Sequence, residues 1–463
     1  QIGTEGALED VTVTLGSPVA SLVNGNTDKT LQNIQTNGGD VILIAQGDKA
    51  SLGTSGTDPL IIDAANGTVK VRTPENAETI AVNTYLVLTQ DTTLTPENII
   101  VDGVEYKVVG KAQDSTDKVD ITCGSLRVIN GGLADISTDG TLYFSYLGVD
   151  DQNSTGNSKA VLQAAESITV EELNTAGGTT ELTSTGGSVT VTELTATDNA
   201  SVTADAATAF ESETMNVTGS TVSVTGGGTG KITDLTATDS AKVTVDVDSN
   251  FESESMNVTG SEVSVTGGGT GKITDLTATE SANVTVDVAT AFESERMDLT
   301  GSAVTVTSDG TAQITDLTAS DSAAVQVHTA GDITLGTLDL EDAAAVFTSL
   351  NDANGYALPG SGSIIGGGKF TADYVEADRS RLEIDVWQDL RIFDETGDVA
   401  SGEDRMENVL VLRDMHGSQT VGNTQQKRGA FLTSRNGAVD STHDDYSVYT
   451  AGDGSAFFLQ DGQ

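Results

Sequence analysis

The sequence predicts an all-β fold, a parallel β-helix (β-solenoid) of about 20 residues per coil, and three observations predict it. The chain repeats itself: Met215, Met256 and Met297 stand 41 residues apart, and so do Leu194, Leu235, Leu276 and Leu317. The tetrapeptide Phe-Glu-Ser-Glu opens at Phe210, Phe251 and Phe292 with the same step. Within a repeat the apolar residues alternate. Val243, Val245 and Val247 share one face while Thr244 and Asp246 share the other, and Val263 and Val265 do the same. Period-two alternation rich in Val and Thr marks half-buried strands. Finally, no proline occurs between Pro96 and Pro359, as expected of a ladder that needs every backbone N–H.

Each 41-residue block holds two similar halves, "DLTATDSAKVTVDV" and "MNVTGSEVSV", so it is a double coil. Successive coils then lie about 4.8 Å apart, the ordinary strand spacing. Gly- and Asp/Ser/Asn-rich punctuation supplies the corners between strands. "GGGTGKITDLTAT" occurs at Gly226–Thr238 and again at Gly267–Thr279, and glycines leading into Lys suggest a phosphate loop. That loop requires G-x-x-x-x-G-K-[ST] followed by a helix. Lys231 and Lys272 are followed by Ile232 and Ile273 and then by strand-forming residues. These glycines are corners.

Composition bounds the function. The 463 residues include 69 Asp and Glu against 22 Lys and Arg, a formal charge of −47. Such a surface argues against nucleic acid, whose binding needs basic patches, and against anionic membranes. No apolar stretch approaches the roughly 18 residues of a membrane span. Aromatic residues make up 4% of the chain, which suits a slim aliphatic interior. A single cysteine, Cys123, permits no internal disulfide and is expected to be a buried small hydrophobe. The sequence begins at Gln1 without a charged-then-apolar leader. It is expected to be a processed product or a piece of a longer polypeptide, and either suits a secreted, extracellular or cell-surface protein.

Four regions are expected along the chain. Residues 1–148 read as irregular N-terminal solenoid coils, and 149–166 as a polar loop or transition. Residues 167–350 hold the regular 41-residue double coils. Residues 351–463, with the only tryptophan, Trp387, read as an irregular β segment that serves as a cap or a subunit contact.

"GGDVILIAQGD" and "LGTSGTDPLIIDAANGTVKV" within Gly38–Thr73, and "AGDITLGTLDL" at Ala330–Leu340, resemble the large secreted bacterial exoproteins and adhesins of the filamentous-haemagglutinin type. The resemblance is one of texture over about half the chain, and no functional residue carries over. It implies a right-handed parallel β-helix, exported and surface-associated, that mediates adhesion or matrix building without a cofactor.

Parallel β-helices also carry pectin-cleaving enzymes, so a polysaccharide-binding or polysaccharide-cleaving protein is the alternative class. Polygalacturonases share N-T-D, D-D, G-H-G and R-I-K. Here Asn26-Thr27-Asp28 is followed far downstream by Asp150-Asp151, Met415-His416-Gly417 replaces G-H-G, and R-I-K is missing. No enzyme is expected, and no catalytic, cofactor-binding or metal-binding residue is assigned. Sugar binding would want an aromatic platform, for which Tyr143, Phe144, Tyr146, Tyr374 and Trp387 are the candidates.

The acidic columns Asp234/Asp275/Asp316 and Glu213/Glu254/Glu295 could gather calcium, a hard cation that takes several carboxylate and carbonyl oxygens. "GGGTGK" puts Lys where the calcium nonapeptide needs Asp. Of the histidines, His443 in "HDDY" (His443–Tyr446) could donate metal ligands but is read as part of a polar surface turn. His328 continues the outward column Asp205, Asp246, Asp287 and is expected to face solvent. Asn216, Asn257 and Asn283 head N-x-T glycosylation sequons. The expected partners are further copies of the chain, by end-to-end or side-by-side association, and surface glycans or a receptor.

Overall fold

The computed structural model describes residues 86–89, 91–94, 99–112, 117–151, 157–351, 365–376, 380–388 and 390 with their side chains, and the backbone of further strands between Val11 and Gln460. Every regular element among them is a β-strand. The chain divides into two units, Gln1–Ile232 and Thr233–Gln463. Both are built by stacking one kind of turn, here called a rung, which contributes one long strand and one short strand.

In the first unit the long strands Thr92–Asp102, Ile121–Ile129, Leu142–Asp150, Ile168–Ala176, Val189–Thr197 and Ala209–Thr218 pair in parallel, each with the next. The short strands Glu105–Gly110, Leu133–Thr138, Lys159–Ala164, Thr179–Ser184, Ser201–Ala206 and Thr221–Gly226 form a second parallel ladder. The second unit repeats the plan. Its long strands include Phe251–Thr259, Thr270–Thr279, Ala291–Thr300, Thr311–Ser320, Ile333–Glu341 and Phe370–Asp378. Its short strands include Lys242–Val247, Glu262–Gly267, Asn283–Val288, Ala303–Ser308, Ala324–Thr329, Ala344–Ser349 and Arg381–Val386. This is the expected parallel β-solenoid.

Period two holds in burial along short strands such as Glu262–Gly267, where Val263 and Val265 are buried while Glu262 is exposed. Ala303–Ser308, Ala324–Thr329, Ala344–Ser349 and Arg381–Val386 instead end in unbroken buried runs. Long strands break it once. In Thr270–Thr279 the outward positions Thr274 and Asp275 are adjacent, and alternation resumes with Leu276 buried. Two successive outward residues let one strand bend and keep both halves facing inward, so each rung presents three inward runs.

The 41-residue block follows from an alternation of corners. Seven residues separate Met256 from Val263, but eight separate Leu276 from Val284; Met297 to Val304 is again seven and Leu317 to Val325 eight. The shorter corner carries one left-handed residue, as at Gly260 (φ +55°) and Gly301 (φ +58°). The longer carries two, as at Glu280 and Ser281 (φ +56° and +65°) and at Asp321 and Ser322 (φ +54° and +68°). The two corners are laced together. Ser281 N–H donates to the Gly301 carbonyl at 3.1 Å. The buried Ser302 hydroxyl accepts from Ala282 N–H at 3.1 Å and donates to the Thr300 carbonyl at 3.0 Å. Ser261 does the same for Ala241 and Thr259.

The interior alternates in the same rhythm. Phe251 pairs with Gly271, Gly271 with Phe292, and Phe292 with Ala312, so each large ring lies beside a small neighbour. Alternating large and small residues across facing positions is how neighbouring layers of a core interdigitate.

The second unit departs from parallel pairing at its far end. Ala430–Ser434 pairs antiparallel with Ser455–Gln460, which pairs antiparallel with Tyr446–Thr450.

Candidate functional site

What the fold presents outward is a set of columns, one residue per rung, with spacing set by the strand ladder. On the short strands of the second unit, Asp246 pairs with Thr266, Thr266 with Asp287 and Asp287 with Thr307. On the long strands, Glu252 pairs with Lys272 and Lys272 with Glu293, while Ser255, Asp275, Arg296 and Asp316 follow one another. The first unit shows the same pairing of acid with hydroxyl, with Thr225 Oγ1 donating to Asp205 Oδ1 at 3.0 Å.

Acids thus fall mostly on alternate rungs with a hydroxyl or a cation between them. Like charges directly opposite one another destabilise a sheet. Two rungs place them roughly 9.6 Å apart, beyond the Debye length of about 8 Å at physiological ionic strength. The few cations sit among acids. Arg296 Nε donates to Asp298 Oδ2 at 2.7 Å, and Lys242 lies 3.2 Å from Glu262. The hydrogen bond and charge of Asp298, with Asp275 and Asp316 adding to them, raise the pKa of the Arg296 guanidinium. Asp339 breaks the alternation, for it pairs directly with Glu376. Partial burial first, then Glu376 and Glu341, raise its pKa.

A hydroxyl ladder runs beside these columns. Thr259 and Thr279 lie 3.1 Å apart through their Oγ1 atoms, and Thr300 Oγ1 and Ser320 Oγ lie 3.4 Å apart.

The calcium columns can be tested against this geometry. Calcium holds its oxygens at about 2.3–2.6 Å, and carboxylates two rungs apart cannot share one ion. In the Asp275/Asp316 column the intervening residue is the cation Arg296. Among the described residues no group of three or more His, Cys, Asp or Glu is arranged to hold a metal.

The glycine corners close against backbone rather than around a ligand. A Cβ on Gly228 would lie 1.7 Å from the Thr208 carbonyl oxygen, and one on Gly268 would lie 2.2 Å from that of Asp248. Asn250 Oδ1 accepts from Thr270 N–H at 2.8 Å across the same corner. Lys272 points outward from a strand, and no helix follows it.

The aromatic candidates do not form a platform. Phe144 is fully buried. Tyr143 is half-buried and bonds Glu171 through its hydroxyl. Tyr146 lies along the strand over Gly148, where an added Cβ would meet its Cε1 at 2.8 Å. Tyr374 donates to Glu376 at 2.8 Å, and Trp387 is half-buried against Gly367. Each ring is engaged within its own part of the sheet.

His328 corrects an expectation. Its column position is outward, between Thr307 and Thr348, yet it is only 5% exposed, and Thr348 and Asp385 beyond it are buried too. Its Nε2 lies 3.4 Å from Gln326 Oε1, while Nδ1 has no hydrogen-bond partner. Burial lowers its pKa. Nothing in the repeat pattern signals this, because alternation distinguishes inward from outward but not covered from open.

Two buried polar groups were not singled out as a pair by the sequence. The Tyr106 hydroxyl, fully buried, has no hydrogen-bond partner. Cys123 is buried as expected, and burial pushes its thiol up to about 12, which leaves it protonated and inert. Asn216, Asn257 and Asn283 are exposed on strands, and Asn257 donates to Ser255 at 3.0 Å. Asp150 ends the strand Leu142–Asp150, while Asn26-Thr27-Asp28, His416 and His443 lie outside the described residues. Comparison of the chain with family models, with curated proteins and with solved structures finds no match.

Proposed function

We propose that this chain is an extracellular structural or adhesive solenoid, without catalytic activity, whose outward columns of Thr, Ser and Asp meet a partner surface. The observation that carries the reading is the register of those columns. Strand pairing holds residues of one type at regular steps along each face, as in the Asp246, Thr266, Asp287, Thr307 series. Such an array recognises by repetition, many weak contacts acting together, and needs no pocket. The haemagglutinin-like texture of the sequence supports the same class. Further copies of the chain and surface glycans or a receptor are the partners this reading names.

Immunogold electron microscopy of cells that make the chain, with negative-stain imaging of the purified protein, tests the proposal. Label at the cell surface or in shed material, with ordered assemblies of the purified chain, is the expected result. Label confined to the cytoplasm would overturn it. Release of reducing ends from acidic polysaccharides would instead move the chain to the carbohydrate-active class.

A further inference from the structure

Resting on the self-association just proposed, we infer that copies meet at the open edge of the strand Tyr446–Thr450, paired antiparallel with the same strand of a second copy about a two-fold axis. Parallel pairing in the second unit runs to Ala430–Ser434 and there gives way to antiparallel pairing. Ser455–Gln460 lies between Ala430–Ser434 and Tyr446–Thr450. Among the described residues Tyr446–Thr450 therefore has one strand neighbour, Ser455–Gln460, and no described strand pairs with its other edge. An unpaired edge is a template for a further strand unless charge, proline or a bulge blunts it. This one reads Tyr-Ser-Val-Tyr-Thr, without charge, proline or glycine.

Electrostatics select the same place. Residues 167–350 hold 28 Asp and Glu against 4 Lys and Arg, so two such surfaces repel. Residues 409–463 hold 6 against 4, a net charge of only −2, and copies approach there at least cost. Geometry selects the symmetry. A strand pairs with itself only in the antiparallel sense, which makes an isologous, closed two-fold dimer. Centring the pair on Val448 sets Tyr446 opposite Thr450 and Ser447 opposite Tyr449. The strand Val11–Leu15 also has one described neighbour, Val41–Ala45, but that pair is parallel. Joining that different edge to this one would make an open polymer instead.

Sedimentation velocity on the full chain tests the inference, using wild type, Val448→Lys, Val448→Glu and an equimolar mixture of the two variants. Circular dichroism melts confirm that each keeps the wild-type transition. Wild type is expected to dimerise with concentration. Each variant alone should dimerise at least tenfold more weakly, since two like charges then face each other at the axis, and the mixture should restore the dimer. Association that ignores residue 448, or an open-ended polymer, would overturn this contact while leaving self-association standing. Weakened variants whose mixture stays monomeric would overturn the two-fold register. Wild type monomeric at every concentration would end both readings.

Discussion

His328 stands two rungs beyond Asp287 in one column, where Asp287 is exposed and His328 is not. A buried imidazole with an unpartnered Nδ1 is stable only while neutral. Burial lowers the folded-state pKa below the ordinary 6.5, so as pH falls the unfolded chain takes up the proton first. Stability is then unaffected above that value and declines below it, until the folded pKa is reached. Substituting the residue of its neighbours, His328→Thr, should remove this decline. Urea unfolding at pH 7.5 and pH 5 would measure it, and an equal loss in wild type and variant would refute it. The sequence placed His328 outward correctly, since side-chain direction follows from period two. What covers an outward position is a matter of tertiary packing, and local pattern carries no record of it.

At the scale of the strand and corner, the double rung keeps unlike residues side by side. Gly271 sits between Phe251 and Phe292, and a Cβ placed there would meet Val288 Cγ1 at 2.7 Å. Gly271→Ala is therefore expected to destabilise by about 1–3 kcal/mol through overpacking, against the usual gain from replacing a strand glycine. Thermal melts would check the sign, and a more stable variant would show that the interior is slack there. The 41-residue period was legible in the leucines and methionines. Its cause was not, because the corner alternation rests on left-handed residues such as Glu280 and Ser281. Sequence propensity does not assign that conformation to them.

At the scale of the whole molecule, the unit of construction in the 41-residue array is two rungs rather than one. Removing residues 257–297, 41 in all, joins Met256 to Asp298 and restores the local sequence of a native junction. Removing residues 257–276, 20 in all, joins Met256 to Thr277 and brings Phe251 beside Phe292, with Glu252 beside Glu293. The first deletion should keep the cooperative β-rich transition. The second should lower its midpoint, through crowding of the core and like charges one rung apart. Circular dichroism melts of both would show it, and equal stability would mean that the alternation has no energetic weight.

The sequence by itself determined the fold class, the rung length, the identity of the inward valines and leucines, and the role of the glycine corners. All of these follow from local periodicity and backbone sterics, which a linear text records. Only the tertiary structure decided that the acidic columns are interrupted by hydroxyls and by Arg296, that His328 is covered, and that the last strands turn antiparallel. Those facts depend on which residues meet across rungs, and pairing between distant segments is set by how the whole stack closes rather than by any one stretch of it.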